Sequence, residues 1–170
     1  EGYSKVQPWN NSAIRADGTL KPAYMKRLAR ILDRAGPLPA KAAEDGEKLE
    51  PATIYVAVPD HHLLVHDHRT KLTEGPTENG HRPAINALFR SAALAFGPRA
   101  IGVLLSGVLD DGVLGLGAIR SRAGVTIAQT PSDALFPALP GNAVQAGIQI
   151  PRYRDGVQDG NNHAVFILKA

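Results

Sequence analysis

Two neighbouring aspartates are the first residues whose types and spacing suggest chemistry. Asp110 and Asp111 stand between Gly107 and Gly112, directly after the apolar run 100–105. A carboxylate in such a loop can orient a histidine, and a backbone amide of the loop can donate to a developing oxyanion. The alternative is structural, because an aspartate ahead of a helix often accepts hydrogen bonds from the first amides of that helix. The residue types alone leave both roles open.

Histidines at positions 61, 62, 66 and 68 form the second group. In an extended chain His62, His66 and His68 share one face, and three imidazoles on one face can bind zinc. No aspartate or glutamate at ligand spacing completes such a set. The sequence therefore favours a polar hairpin face, with a metal-binding enzyme built on His62, His66 and His68 as an alternative.

Other common catalytic signatures are absent from the sequence. The chain has no cysteine, and it has no G-x-S-x-G, phosphate-loop or G-x-G-x-x-G pattern. Ser106 ends an apolar run, but no histidine lies near it in sequence, so we interpret it as a loop hydroxyl. We expect no cofactor.

Length and composition indicate one globular domain. The chain has 170 residues, of which 44% are hydrophobic, and a net charge of +3. Basic and acidic residues are interleaved, which argues against nucleic-acid binding, and no apolar run approaches the roughly 20 residues of a membrane span. The first residues lack the pattern of a signal peptide. We therefore expect a cytoplasmic protein that neither binds nucleic acid nor inserts into a membrane.

Alternating strand and helix patterns predict the fold class. Apolar runs at 52–58, 100–105 and 125–129 are typical of strands. Short links between such strands and the intervening helices indicate parallel crossovers. The predicted class is α/β, an open, mostly parallel doubly wound sheet with a short β-hairpin insertion around 62–73. Helices are expected over 21–35, 83–96, 113–122 and 141–146, and a last strand over 164–168.

Three segments of the chain resemble one known family. They are 54–65, 82–93 and 105–112, which read IYVAVPDHHLLV, RPAINALFRSAA and LSGVLDDG. In this order and spacing they are similar to the catalytic domain of the chemotaxis protein-glutamate methylesterases (CheB type). The resemblance covers roughly residues 22–150, and 1–20 and 151–170 fall outside it. It implies a single methylesterase-like catalytic domain over 1–170, and we expect no receiver domain, which the family uses to regulate access to the site.

The resemblance also implies an activity and a site. The family hydrolyses glutamate methyl esters on the cytoplasmic domains of chemoreceptors with a Ser-His-Asp triad and without a metal. The triad aspartate precedes the last glycine of the loop, which is Asp111 here. The residue after the first glycine supplies an oxyanion-hole amide, which assigns that role to Val108 between Gly107 and the final Gly112.

The chain also departs from the family pattern. It contains no Gly-Ala-Ser-x-Gly-Gly turn for the nucleophile, and no histidine precedes His61. We therefore expect impaired hydrolysis, with methanol release near background for this chain alone. The alternative is a non-catalytic receptor-binding module derived from the family.

Sheet edges give a further expectation. A parallel sheet without its first strands exposes backbone groups that can pair with another chain. We expect either self-association through these edges or their coverage by residues 1–20 and the C-terminal tail.

Overall fold

The computed structural model describes residues 22–148 and 164–168. The arm expected over 1–20 and most of the polar tail lie outside the described residues. Among the described residues the helices are α1 (Pro22–Ala35), α2 (Ile85–Phe96), α3 (Val113–Ser121) and α4 (Ala138–Gln145). The strands are β1 (Ala40–Ala42), β2 (Ile54–Val56), β3 (His62–His66), β4 (Arg69–Thr73), β5 (Ala100–Leu104), β6 (Val125–Ala128) and β7 (Ala164–Leu168).

Parallel pairing dominates the sheets. Strands β6, β5 and β7 form one parallel sheet in that order, and β1 and β2 form a separate parallel pair. The open α/β class predicted from the sequence is confirmed. Strand β1 was not predicted, because three residues are too few to show a period-two pattern.

The C-terminal strand lies where a bare edge was expected. Strand β7 pairs with β5 in parallel, with Leu168 opposite Leu104. The tail thus covers one edge of β5, on the side opposite β6, and the expected cover by residues 1–20 lies outside the described residues. Self-association through other edges stays a prediction.

The hairpin β3–β4 is antiparallel, with His62 opposite Thr73 and His66 opposite Arg69. Asp67 and His68 form its turn, and both have positive φ values, 48° and 56°. Because the strand ends at His66, the alternation of faces does not continue to His68. The expectation that His62, His66 and His68 share one face is therefore wrong.

The core surrounds helix α2, which packs against α3, β5 and the hairpin strand β3. Phe89 of α2, Leu104 of β5 and Leu116 of α3 are fully buried there. Gly115 lets the two helices approach, because a Cβ at this position would lie 2.6 Å from the Cβ of Phe89. No helix in the described part of the chain is both long enough and apolar enough to cross a membrane.

Candidate active site

The loop between β5 and α3 lies at the carboxyl edge of the parallel sheet, where open α/β proteins bind ligands. Ser106 opens this loop and is buried. Its amide donates to Oε1 of Gln129 at 2.8 Å, and its hydroxyl oxygen accepts the amide of Phe136 at 2.8 Å. Ser106 is a loop hydroxyl that anchors a second loop.

Asp111 is turned towards helix α2. Its side chain is buried, with 4% of the residue exposed. Oδ2 accepts the amide of Ile85 at 2.8 Å, and Oδ1 accepts the amide of Asn86 at 3.0 Å. Helix α2 starts after Ala84, which offers no capping side chain, so Asp111 takes the place of an N-cap. The positive end of the helix dipole stabilises the negative charge of this carboxylate.

Asp111 does not cap the following helix, α3, which is the structural alternative to a catalytic role. In the structure that helix is capped by Asn86 instead. Oδ1 of Asn86 accepts the amides of Gly112 at 3.0 Å and Gly115 at 2.8 Å. Asn86 is 2% exposed. Sequence reasoning missed Asn86, and its one signal was a polar side chain in the first turn of an apolar helix.

His62 binds the remaining amide at the same helix end. Its Nδ1 accepts the amide of Ala84 at 3.2 Å, and its Nε2 lies 2.9 Å from the carbonyl oxygen of Pro76. These partners require the proton on Nε2. Three consecutive amides, at positions 84, 85 and 86, are thus bound by side chains of β3 and of the β5–α3 loop.

The other two histidines of the proposed zinc set lie elsewhere. His66 is exposed at the end of β3, and the ring of His68 packs edge-on against Phe96 at 5.4 Å between centroids. Within residues that the structure describes, no group of three histidine or acidic side chains can hold a metal ion. The metal-binding alternative therefore lacks the ligand cluster on which it was based.

The amides of the loop differ in their availability. Gly107 donates its amide to the carbonyl of Phe136 at 3.0 Å, and the amide of Gly112 is taken by Asn86. The amide of Val108 donates to no acceptor in the described part of the chain, and Val108 is 54% exposed. Of the three, Val108 alone offers an available donor.

A shallow depression lies beside Val108. Its volume is about 370 Å³, and Phe136, Asn142 and other residues before and within α4 complete its walls. Asn142 also donates its side-chain amide to the carbonyl of Leu109 at 2.7 Å. Asp111 does not line this depression, because its carboxylate faces α2.

An ion pair fixes the loop that precedes α2. Arg90 of α2 donates from Nη1 to Oε2 of Glu78 at 2.9 Å and from Nη2 to Oε1. These hydrogen bonds from the guanidinium hold the pKa of Glu78 below its ordinary value and raise the pKa of Arg90. Next to Glu78, Asn79 donates to Oδ1 of Asp110 at 3.3 Å. The loop before α2 is thus tied to the loop that carries Asp111.

Comparison with known proteins identifies the family. The sequence profile of the CheB methylesterases matches residues 16–153. The chain belongs to this family. A solved member, the CheB methylesterase catalytic domain of Thermotoga maritima, is similar to the structure with a TM-score of 0.72 and 28% sequence identity. The match covers 76% of this chain and 70% of that domain.

Two relatives that the chain matches are longer than the chain itself. The protein-glutamate methylesterase/protein-glutamine glutaminase 3 of Anaeromyxobacter dehalogenans is 42% identical over 127 residues, which are 74% of this chain and 37% of the relative. The Escherichia coli K12 protein-glutamate methylesterase/protein-glutamine glutaminase is 31% identical over 144 residues, 82% of the chain and 41% of the relative. The chain thus spans about two-fifths of the length of these relatives.

Proposed function

We propose that the chain carries the aspartate half of a protein-glutamate methylesterase site that demethylates glutamate methyl esters on chemoreceptors. Membership of the CheB methylesterase family supports the reaction class. The observation that carries the assignment of the site is the carboxylate of Asp111, which is buried and bound to two backbone amides at the carboxyl edge of the sheet.

The carboxylate of Asp111 is suited to hold an imidazole. An ionised carboxylate offers about four lone-pair positions, and the amides of Ile85 and Asn86 take two of them. The remaining positions can accept the Nδ1–H of a histidine, which fixes its tautomer and stabilises the imidazolium formed during the reaction. Ester hydrolysis by such a triad requires no metal or cofactor.

The reaction then follows the serine-triad scheme. The serine hydroxyl attacks the ester carbonyl and gives its proton to the histidine, which passes that proton to the departing methoxide as methanol. Water hydrolyses the acyl-serine to the glutamate carboxylate and releases a proton. The available amide of Val108 donates to the oxyanion in both tetrahedral intermediates.

In this proposal a separate polypeptide supplies the serine and the histidine, because the sequence has no Gly-Ala-Ser-x-Gly-Gly turn and no histidine before His61. Among the described residues, Asp111 hydrogen-bonds only to backbone amides, and Ser106 is held by the amide of Phe136. Removing a nucleophile or base from a triad typically lowers the rate by several orders of magnitude. The 170-residue chain alone is therefore expected to release methanol near background.

A reconstitution experiment tests this function. The chain is mixed with a polypeptide that carries a Gly-Ala-Ser-x-Gly-Gly turn and a triad histidine of the family pattern, and methanol release from a methyl-esterified receptor fragment is measured. We expect release only from the mixture, and a loss of at least about 100-fold with Asp111→Asn. Asp110→Asn is the matched control, because Asp110 is exposed, and it should keep the activity.

Two results would overturn the proposal. The first is full activity of the Asp111→Asn mixture, which would remove the aspartate from the site. The second is rapid methanol release by the unmixed chain, which would place a complete site within it. Binding of the receptor fragment with no release from the mixture would favour the binding-module alternative.

A further inference from the structure

We propose that Asn86 is a positioning residue for Asp111. This inference rests on the proposed function of Asp111 and adds the residue that fixes its orientation. The two residues are joined in a closed set of hydrogen bonds. The backbone amide of Asn86 donates to Oδ1 of Asp111, and the side-chain Oδ1 of Asn86 accepts the amide of Gly112, the residue after Asp111.

The backbone amide of Gly112, the residue after Asp111, depends on Asn86 for its acceptor. Gly112 has φ 104°, a conformation that side chains disfavour, and it offers no cap to α3. A Cβ at Gly112 would lie 2.7 Å from the Cγ2 of Ile85 and from the Cδ1 of Leu104. Asn86 replaces the missing cap from across the helix pair, because its Oδ1 accepts the amides of Gly112 and Gly115.

Burial makes these bonds decisive for geometry. Asn86 and Asp111 are 2% and 4% exposed, so water cannot readily replace a lost partner. Removal of Oδ1 would leave the amides of Gly112 and Gly115 without an acceptor. Because a buried amide without a hydrogen bond is costly, the backbone around it rearranges. The residue that moves first is Gly112, which is covalently bonded to Asp111.

The side-chain oxygen of Asn86 suits this role because it accepts the amides of both Gly112 and Gly115 beside Asp111. A triad must be held within about 0.5 Å of its productive geometry. Asn86 is therefore expected to act on the orientation of Asp111 and thereby on kcat, with no contact to the substrate.

The test compares three variants of the chain. Asn86→Ala removes the acceptor, and Asn86→Asp keeps an oxygen in its place. Ser91→Ala is the matched control, because Ser91 also lies on α2 and accepts a backbone amide from another element, that of Val65 at 3.0 Å. All three variants are compared with wild type under conditions in which the same fraction of each protein is folded. A loss of stability is thereby separated from a change in the position of Asp111.

The first readout needs no activity. Amide hydrogen exchange by NMR should be at least about tenfold faster at Gly112 and Gly115 in Asn86→Ala, with a changed proton shift for the Ile85 amide that binds Asp111. Asn86→Asp should restore most of both signals, and Ser91→Ala should leave them unchanged. Unaltered exchange at Gly112 and an unaltered Ile85 shift in Asn86→Ala would overturn the proposal.

The second readout is the reconstituted methylesterase. Asn86→Ala should lower kcat about tenfold or more with KM nearly unchanged, Asn86→Asp should recover part of that loss, and Ser91→Ala should match wild type. Equal losses in Asn86→Ala and Ser91→Ala would mean a merely structural role and overturn the inference. If the wild-type mixture is inactive, the proposed function fails, whereas the NMR readout still decides whether Asn86 positions Asp111.

Discussion

Asp111 and Asn86 cap each other's helices. The carboxylate of Asp111, which precedes α3, binds the first amides of α2, and the side chain of Asn86 in α2 binds the first amides of α3. Each helix start is therefore completed by a residue of the other helix. Because of these reciprocal caps, the position of the Asp111 carboxylate at the sheet edge depends on how α2 packs against α3.

Asp111→Asn is expected to lower the free energy of unfolding by about 1–2 kcal/mol, because an amide group replaces one acceptor oxygen with a donor that faces a backbone N–H. Urea unfolding followed by circular dichroism measures the change. Asp110→Asn should stay within about 0.5 kcal/mol of wild type, as expected for an exposed side chain. Equal midpoints for the two variants would contradict the capping role.

Two glycines of α3 should respond in opposite directions to alanine. At Gly115 a Cβ would lie 2.6 Å from the Cβ of Phe89 and 3.2 Å from the Cα of Asn86, whereas at Gly117 it would meet nothing within 4 Å. Gly115→Ala should destabilise the protein by about 1–3 kcal/mol. Gly117→Ala should stabilise it by about 0.5–1 kcal/mol through helix propensity. Thermal unfolding of both variants measures the difference, and equal melting temperatures would refute the close approach at Gly115.

Ser106 should behave as a structural hydroxyl. Ser106→Ala removes the acceptor of the Phe136 amide and should destabilise the protein by about 1–2 kcal/mol. A fluorophosphonate, which labels activated serines, should give no adduct at Ser106 in intact-mass and peptide-mass analysis. An adduct at Ser106 would identify it as a nucleophile and contradict this assignment.

The Glu78–Arg90 pair should make stability depend on acid pH. Because Arg90 holds the pKa of Glu78 below its ordinary value of 4.5, the pair stabilises the folded state above that pH. This stabilisation is lost as the pH falls through the lower pKa of the folded state. The side chain of Arg90 is about half exposed, so the contribution should stay below about 1 kcal/mol.

Glu78→Gln tests this pH dependence. The difference in unfolding free energy between wild type and Glu78→Gln should be largest near pH 7 and shrink between pH 5 and pH 3. Glu50→Gln serves as the control, because Glu50 forms no ion pair with any residue that the structure describes. A difference that is constant over this pH range would show that Glu78 titrates normally in the folded state.

The fold class could be predicted because its signals are local. The apolar run at 100–105 is a strand by composition alone, and the period of apolar residues in 85–96 identifies a helix. The structure differs mainly at element ends, where strand β2 is limited to Ile54–Val56 and helix α4 begins earlier, at Ala138. Strand β1 was not predicted, because its formation depends on pairing with β2 and not on a pattern within its own three residues.

The histidines show where local reasoning fails. Alternation of side chains holds only while the chain stays extended, and the positive φ values of Asp67 and His68 end it. Spacing along the sequence could not reveal that both ring nitrogens of His62 are occupied by Pro76 and Ala84. These partners lie 14 and 22 residues away in sequence.

The sequence by itself determined the α/β class, the family and the location of Asp111 in a loop after a buried strand, because these follow from neighbouring residue types and from segments that match in order. Only the tertiary structure decided that Asp111 faces α2 and that Asn86 completes α3. Those hydrogen bonds join residues 25 to 29 positions apart. Their existence depends on how closely two helices pack, which no local pattern of residues specifies.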